Sequence, residues 1–217
     1  MAAVPTLRDG EVTIRPLRLR DTRVMETELR DNRAWLQQWE ATSPHSSGPF
    51  DVRASIRSLQ ASSRAGTGLA FAIECGGQFA GQLNVSGITY GSLSSASIGY
   101  WVSERFAGRG VTPTAVALAT DHCFFEFGLH RIEICIRPEN APSLRVVQKL
   151  GFRYEGLRRR YIHIDGDWRD HFCFALVVEE VRGGVLPRFR SGRVPALNAV
   201  VAEADVRAAA RPLPPAV

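Results

Sequence analysis

Lysine is nearly absent. Lys149 is the only one in the 217-residue chain; removing it from the 27 basic residues leaves 26 arginines, which carry the net charge of +5. Arginine suits planar, bidentate contacts to phosphate and carboxylate. A pI near 9.4 is compatible with an acidic partner such as nucleic acid or a ribosome surface. A GC-rich genome that favours arginine codons explains the same bias equally well. The missing lysines exclude one chemistry outright: the phosphate loop G-x-x-x-x-G-K-[ST] needs a lysine behind a glycine, and Lys149 follows Gln148.

Other absences narrow the class further. No run of about 18 apolar residues is present, so no membrane span is expected. The start, "MAAVPTLRDGEV", lacks a basic region followed by an apolar one, so a signal peptide is not expected and a cytoplasmic protein is. The four cysteines, Cys75, Cys123, Cys135 and Cys173, form no C-x-x-C pair, which disfavours zinc and redox motifs; they read as free thiols, mostly buried. His122 and Cys123 are neighbours on a predicted helix and point in different directions, so no metal is expected. At 45% hydrophobic and 23% charged residues the chain is an ordinary globular candidate, long enough for one domain with a sizeable core.

Periodicity then gives an order of elements. "EVTIRPL" reads as a first strand, Asp21 as the N-cap of a helix reaching Arg30, and "NRAWLQQWE" and "DVRASIRSLQASS" as two short helices around the loop "TSPHSSGPF". "LAFAIEC", "QFAGQLNVSGI" and "SASIGYWVS" read as three antiparallel strands. Thr112 is expected to cap the next helix, with Pro113 in its first turn and Gly128 at its end. "RIEICIR" is a strand, Asn140 to Leu150 a helix, and "FRYEGLRRRYIHI", "DGD", "WRDHFCFALVV" a hairpin in which Trp168 is expected in the core. Residues 182–217 are rich in Arg, Pro, Ala and Gly, with too few large apolar residues for a core of their own. They read as a tail, partly disordered or packed on the edge of a domain at 1–181, with a short helix in "ALNAVVAEADVRAAA".

The chemistry concentrates in "ERFAGRGVTPTAV". A glycine turn that feeds a helix presents backbone N–H groups at the positive end of the helix dipole, an anion site by construction. A dinucleotide G-x-G-x-x-G would need a third glycine where Pro113 stands, so ATP and NAD are poor candidates. About thirty residues later comes "NAPSLRVVQKLGF". Together with this turn, it resembles the GNAT family of acetyl-CoA-dependent N-acetyltransferases, over roughly Glu11 to Val178. "IGYWV", "GRG", "HRIE", "PEN..S", "KLGF..EG" and "DGDWRDH", in this order, are similar to the RimJ-type branch, which acetylates the N-terminal alanine of a ribosomal protein.

The resemblance implies an α/β (α+β) GNAT fold, a mixed, mostly antiparallel sheet of about seven strands flanked by helices. It implies acetyl-CoA as co-substrate, with the pyrophosphate held by backbone N–H groups of the turn. The turn can be placed in two registers, Arg105-x-x-Gly108-x-Gly110 or, preferred here, Ala107, Gly108, Arg109, Gly110, Val111 and Thr112. The second substitutes Ala107 and Thr112 for the family's usual residues but keeps every backbone donor. By the resemblance Asn140 contacts the pantetheine arm, or else caps its helix, and Ser143 protonates the leaving thiolate. The tyrosine that many members place four positions later is Val147 here. A backbone N–H near Val102 is expected to hold the developing oxyanion.

The base is open. Alternation places Arg131, Glu133, Cys135 and Arg137 on one strand face, where Glu133 is a candidate base or a salt-bridged strand residue. His163 and Asp165 are alternatives, Tyr161 and His163 are expected to line the acceptor pocket, and Asp170 and His171 pair structurally or touch substrate. An α-amine of pKa about 8 is roughly 10% neutral at pH 7, against about 0.04% for a lysine of pKa about 10.4, so an N-terminal acceptor asks less of a base. The expected partner is therefore a protein N-terminus or another primary amine, with ribosome association and a monomer or homodimer; neither DNA nor a membrane is expected. Acylation of a small amine or lysine, and acyl-CoA binding without turnover, are the competing readings.

Overall fold

The computed structural model describes residues 4–45, 50–195 and 198–211. Its spine is one sheet of eight strands: β1 (Leu7–Asp9), β2 (Val12–Pro16), β3 (Gly68–Cys75), β4 (Gln78–Thr89), β5 (Ser95–Val102), β6 (Arg131–Ile136), β7 (Arg153–Ile164) and β8 (Asp167–Val177). The order is β1-β2-β3-β4-β5-β6-β8-β7, and only β5 and β6 run parallel. The extra strand over the expected seven is the short β1, paired with β2 across Gly10, whose positive φ of 57° closes the turn. The β7–β8 hairpin turns at Asp165 and Gly166, both at positive φ, the geometry of a two-residue I′ turn.

Helices cover both faces. α1 (Thr22–Asp31), α2 (Arg33–Leu36) and α3 (Val52–Ala65) lie on one side, where Leu17, Met25, Val52, Ile56 and Phe79 form a small core. α4 (Val111–Phe125) and α5 (Ala141–Leu150) lie on the other, over the main core of Phe71, Leu83, Ile98, Ile132, Leu150 and Phe174. α4 is apolar almost all round and buried along most of its length, because the sheet lies on one side of it and α5 and the C-terminal segment on the others.

Several local expectations shift. Asp21 precedes α1 but makes no cap bond there; its carboxylate accepts from the Arg18 N–H at 2.8 Å and from the two terminal nitrogens of the Arg15 guanidinium. Trp168 is 45% exposed rather than in the core: it stands beside the hairpin turn, where its ring meets His163 edge-on. The loop "TSPHSSGPF" falls partly on residues 46–49, and the tail partly on 196–197 and 212–217, outside the described residues. The described part of the tail packs on the edge of the domain. α6 (Val185–Ser191) is capped by the Asp121 carboxylate, which accepts from the Val185 and Leu186 N–H groups at 2.6 and 3.0 Å. Tyr154 donates its N–H to Asn198 O at 2.7 Å and its hydroxyl to Asp205 of α7 (Glu203–Ala209), also at 2.7 Å, so this segment covers part of edge strand β7. A segment short of apolar residues can fold this way because it borrows a core that already exists.

At Gly81, which faces Val102 across the β4–β5 ladder, an added Cβ would lie 2.1 Å from the Trp101 carbonyl oxygen and 2.8 Å from Val102 Cα. Both obstacles are backbone. Gly81→Ala is expected to destabilise the fold by about 1–3 kcal/mol, whereas Gly99→Ala, with open space around its Cβ, leaves the melting temperature nearly unchanged; thermal unfolding checks the difference.

Candidate active site

The parallel pairing of β5 with β6 lasts three residues, Ser95–Ser97 against Arg131–Glu133, after which the strands part. On its other side β5 stays paired with β4 to Val102, and the Ser103 N–H bond to Ala80 O fixes the phase of that ladder. Counting back in steps of two, Val102 and Tyr100 turn their backbone N–H and C=O groups away from β4 and into the gap. The Val102 carbonyl accepts from Trp35 Nε1 at 3.1 Å. Its N–H faces the gap, where β6 no longer reaches it.

The glycine turn closes one end of the gap. After a single 3₁₀ turn at Glu104–Phe106, Gly108 and Gly110 adopt φ of 74° and 78°, and α4 begins at Val111. Gly110, not Thr112, is the N-cap; the positive φ at Gly110 starts the helix two residues earlier than the threonine signal implied. The N–H groups of Gly108, Arg109, Gly110, Val111 and Thr112 donate to no protein acceptor among the described residues. This run coincides with the register that begins at Ala107. Arg105, which heads the other register, is committed elsewhere: its guanidinium NH1 lies 2.8 Å from the buried Glu28 carboxylate, which also accepts from Ser103 Oγ at 2.6 Å. The cluster ties α1 to the turn.

α5 closes the gap from the β6 side. Asn140 Oδ1 caps it by accepting from the Ser143 N–H at 3.1 Å, which leaves the Asn140 amide NH₂ free. The Tyr100 phenol is buried beside Ser143 without a well-formed hydrogen bond to any protein group. Burial raises its pKa above the ordinary value, so it is a neutral O–H at any physiological pH.

Two cavities meet at these residues. The smaller, about 140 Å³, is lined by Val102, Gly108, Gly110, Thr112, Arg145 and Lys149 among others. The larger, about 880 Å³, lies on the α1–α3 side and includes Glu40, Trp101, Cys135, Arg137 and His171. Tyr100, Asn140 and Ser143 border both. An acetyltransferase (GNAT) domain model matches residues 11–153, about two thirds of the chain. The chain belongs to the GNAT acetyltransferase family.

Among solved GNAT structures, Mycobacterium smegmatis RimJ in complex with CoA-disulfide superposes with a TM-score of 0.80 at 38% identity, covering 88% of this chain and 94% of that one. Ribosomal-protein-S5-alanine acetyltransferase from Vibrio fischeri, at 24% identity and a TM-score of 0.71, shares the fold over 80% of this chain and 96% of its own. The ribosomal protein uS5-alanine N-acetyltransferase of Escherichia coli is 26% identical over 182 residues, 82% of this chain and 94% of that protein. The probable N-acetyltransferase YjcK of Bacillus subtilis is 39% identical over 97 residues; the match takes in 45% of this chain and spans about half, 54%, of YjcK.

Within this GNAT frame the acceptor-side residues rearrange. Glu133 lies in an ion cluster, accepting from Arg131 NH2 at 2.8 Å and facing Arg158 NH2 at 3.4 Å, and lines neither cavity. Tyr161, 41% exposed, accepts from Arg158 NH1 at 3.0 Å, and His163 meets Thr42 at 2.7 Å and Trp168 edge-on; neither reaches the large cavity, whose wall takes Ile162 and Ile164 from the same strand. Asp165 accepts from Gln37 at 3.0 Å. Asp170 binds the Arg159 guanidinium and the Arg160 N–H, not His171.

His171 does face the cavity. It is 3% exposed, and its Nδ1–H donates to Arg169 O at 3.0 Å, so Nε2 is left as an acceptor with no protein partner. Of the two readings the sequence offers for His171, pairing with Asp170 or touching substrate, its place in the cavity wall favours the second; sequence spacing concealed Tyr100, whose role depends on where β5 parts from β6. The only signal for Tyr100 was a polar-tipped aromatic next to the glycine turn.

Burial holds the His171 pKa below its ordinary 6.5. The unfolded chain therefore takes up this proton first as the pH falls. The stability gained from a neutral His171 is complete above about pH 6.5 and is lost progressively below it. The melting temperature of the wild-type protein should drop between about pH 7 and about pH 5.5 by more than that of His171→Gln, measured in matched buffers.

Proposed function

We propose that the protein is an acetyl-CoA-dependent N-acetyltransferase whose acceptor is the N-terminal α-amine of a protein, Ala or Ser in first position, such as a ribosomal protein in the cytoplasm. The observation that carries this is the joining of a donor-lined glycine turn to a large open cavity through one polar junction at Tyr100, Asn140 and Ser143. The five unpaired N–H groups, with open space where Gly108 and Gly110 would bear a Cβ, suit a pyrophosphate. Arg109, Arg145 and Lys149 add positive charge near the turn. A cavity of about 880 Å³ accommodates the first residues of a peptide, and the likeness to RimJ and to the uS5-alanine enzyme supports that acceptor.

Acetyl-CoA supplies the acyl carbon as a thioester. The Asn140 NH₂ orients the pantetheine arm, and the Val102 N–H points to where negative charge grows on the thioester oxygen as the neutral amine attacks. The N–C bond forms, the C–S bond breaks, and Ser143 Oγ, backed by the Tyr100 O–H, delivers a proton to the departing sulfur. On the acceptor side His171 Nε2 takes the surplus amine proton, directly or through water, and the return of a proton to Ser143 through solvent restores both groups. Glu133, held by arginines, has no part in this account.

The decisive screen offers acetyl-CoA with peptides bearing a free N-terminal Ala or Ser, their N-terminally blocked counterparts, and polyamines, and reads free thiol. Turnover is expected with the free peptides alone; turnover only on polyamines overturns the proposal. Replacing Gly108 and Gly110 by valine should raise the acetyl-CoA KM at least tenfold, as the cradle fills and the positive φ is strained. Ser143→Ala should lower kcat about 100-fold, and Tyr100→Phe about tenfold, with acetyl-CoA KM little changed in steady-state kinetics.

A further inference from the structure

The sequence separates Cys135 from Cys173 by 38 positions, and their spacing argued against a redox pair. The fold brings them together. They are directly opposed partners in the β6–β8 ladder, on the same sheet face, and their Sγ atoms are 2.9 Å apart. Opposed residues of an antiparallel pair have Cα atoms about 4.5–5.5 Å apart, inside the range of about 4.4–6.8 Å that a disulfide spans. Closing the bond needs each sulfur to move by less than about 1 Å, with no shift of backbone register.

We propose that Cys135 and Cys173 form a dithiol modification site in the wall of the acceptor cavity, converted by an oxidant of the peroxide class into a reversible internal disulfide. Cys135 is the sulfur that lines the large cavity, so the oxidant reaches it first; Cys173 is buried behind it. The Arg158 guanidinium, 3.8 Å from Cys135 Sγ, favours an anion on the pair. The hydrogen bond between them lowers the Cys173 pKa against the opposing effect of burial and raises that of Cys135, so the anion of the pair rests on Cys173 and the shared proton on Cys135. The other two cysteines, Cys75 and Cys123, are buried in the main core and have no thiol partner among the described residues.

The steps balance. Cys135 passes its proton to the Cys173 sulfur across the 2.9 Å contact and attacks a peroxide oxygen; the O–O bond breaks, and the departing hydroxide takes up a proton and leaves as water, giving a sulfenic acid at Cys135. The Cys173 sulfur attacks that sulfur, the S–O bond breaks and a second water leaves. The two thiols have lost two electrons and two protons to hydrogen peroxide. A dithiol reductant reverses the change by exchange. None of this depends on the acceptor proposed above, and the primary readout is mass rather than turnover.

The test uses the full chain, reduced, freed of reductant and treated with hydrogen peroxide. The wild type is expected to lose the mass of two hydrogens, to show two alkylatable thiols instead of four after denaturation, to yield one cross-linked peptide joining Cys135 to Cys173, and to recover with dithiothreitol. Cys173→Ser should instead accumulate a sulfenic acid at Cys135 that dimedone traps. Independently, phenylarsine oxide should bind the reduced wild type with one equivalent protecting Cys135 and Cys173 together, which tests the pair even where a variant folds poorly. Four free thiols after peroxide, or Cys135 advancing to sulfinic acid as fast in the wild type as in Cys173→Ser, overturns the proposal.

Discussion

Everything at this site depends on the parting of β5 from β6. Parallel pairing that lasted beyond Ser97 and Glu133 would occupy the backbone groups of Tyr100 and Val102 and close the sheet into an unbroken surface. By ending after three residues it leaves a slot in the middle of the sheet whose walls are unpaired peptide groups. β5 tolerates the divergence because its other edge remains bonded to β4 along most of its length, and Gly81 lets the two backbones approach closely opposite Val102.

Three features then convert a slot into a site. The Glu28, Ser103 and Arg105 cluster fixes α1 against the start of the turn, a buried carboxylate satisfied by a hydroxyl and a guanidinium. The two positive-φ glycines aim five successive N–H groups outward at the start of α4. α5, capped by Asn140, places Ser143 across from the Tyr100 phenol. The same separation of strands that exposes donors beside the glycine turn opens the large cavity on the other side, so the two cavities meet at Tyr100, Asn140 and Ser143.

Much of the fold was legible in the sequence, because strand alternation, the D-G hairpin turn and the glycines past α4 and α5, Gly128 and Gly151, are local signals. The single mixed, mostly antiparallel sheet was implied by family resemblance rather than by periodicity, and β1 was too short to announce itself. At the site, the turn and the Asn140 and Ser143 pair were legible as motifs. The acceptor wall was not. Alternation correctly put Arg131, Glu133, Cys135 and Arg137 on one face, but which of them meets the cavity depends on Arg131 and Arg158 drawing Glu133 aside and on the width of the gap at Cys135. His163 and His171 differ in the same way: eight residues apart, one on each arm of the hairpin, they are separated by whether the strand face at that height looks inward. The pairing of Cys135 with Cys173 is a matter of register, invisible to any count of spacing.

The central claim is that the turn and the slot hold acetyl-CoA through backbone N–H groups. It is tested most directly by hydrogen exchange at single-amide resolution, comparing the free protein with the protein saturated by acetyl-CoA. The account predicts new protection at Gly108, Arg109, Gly110, Val111 and Thr112 and at Val102, with the β2–β3 ladder unchanged. Binding that leaves those six amides exchanging as before would contradict it.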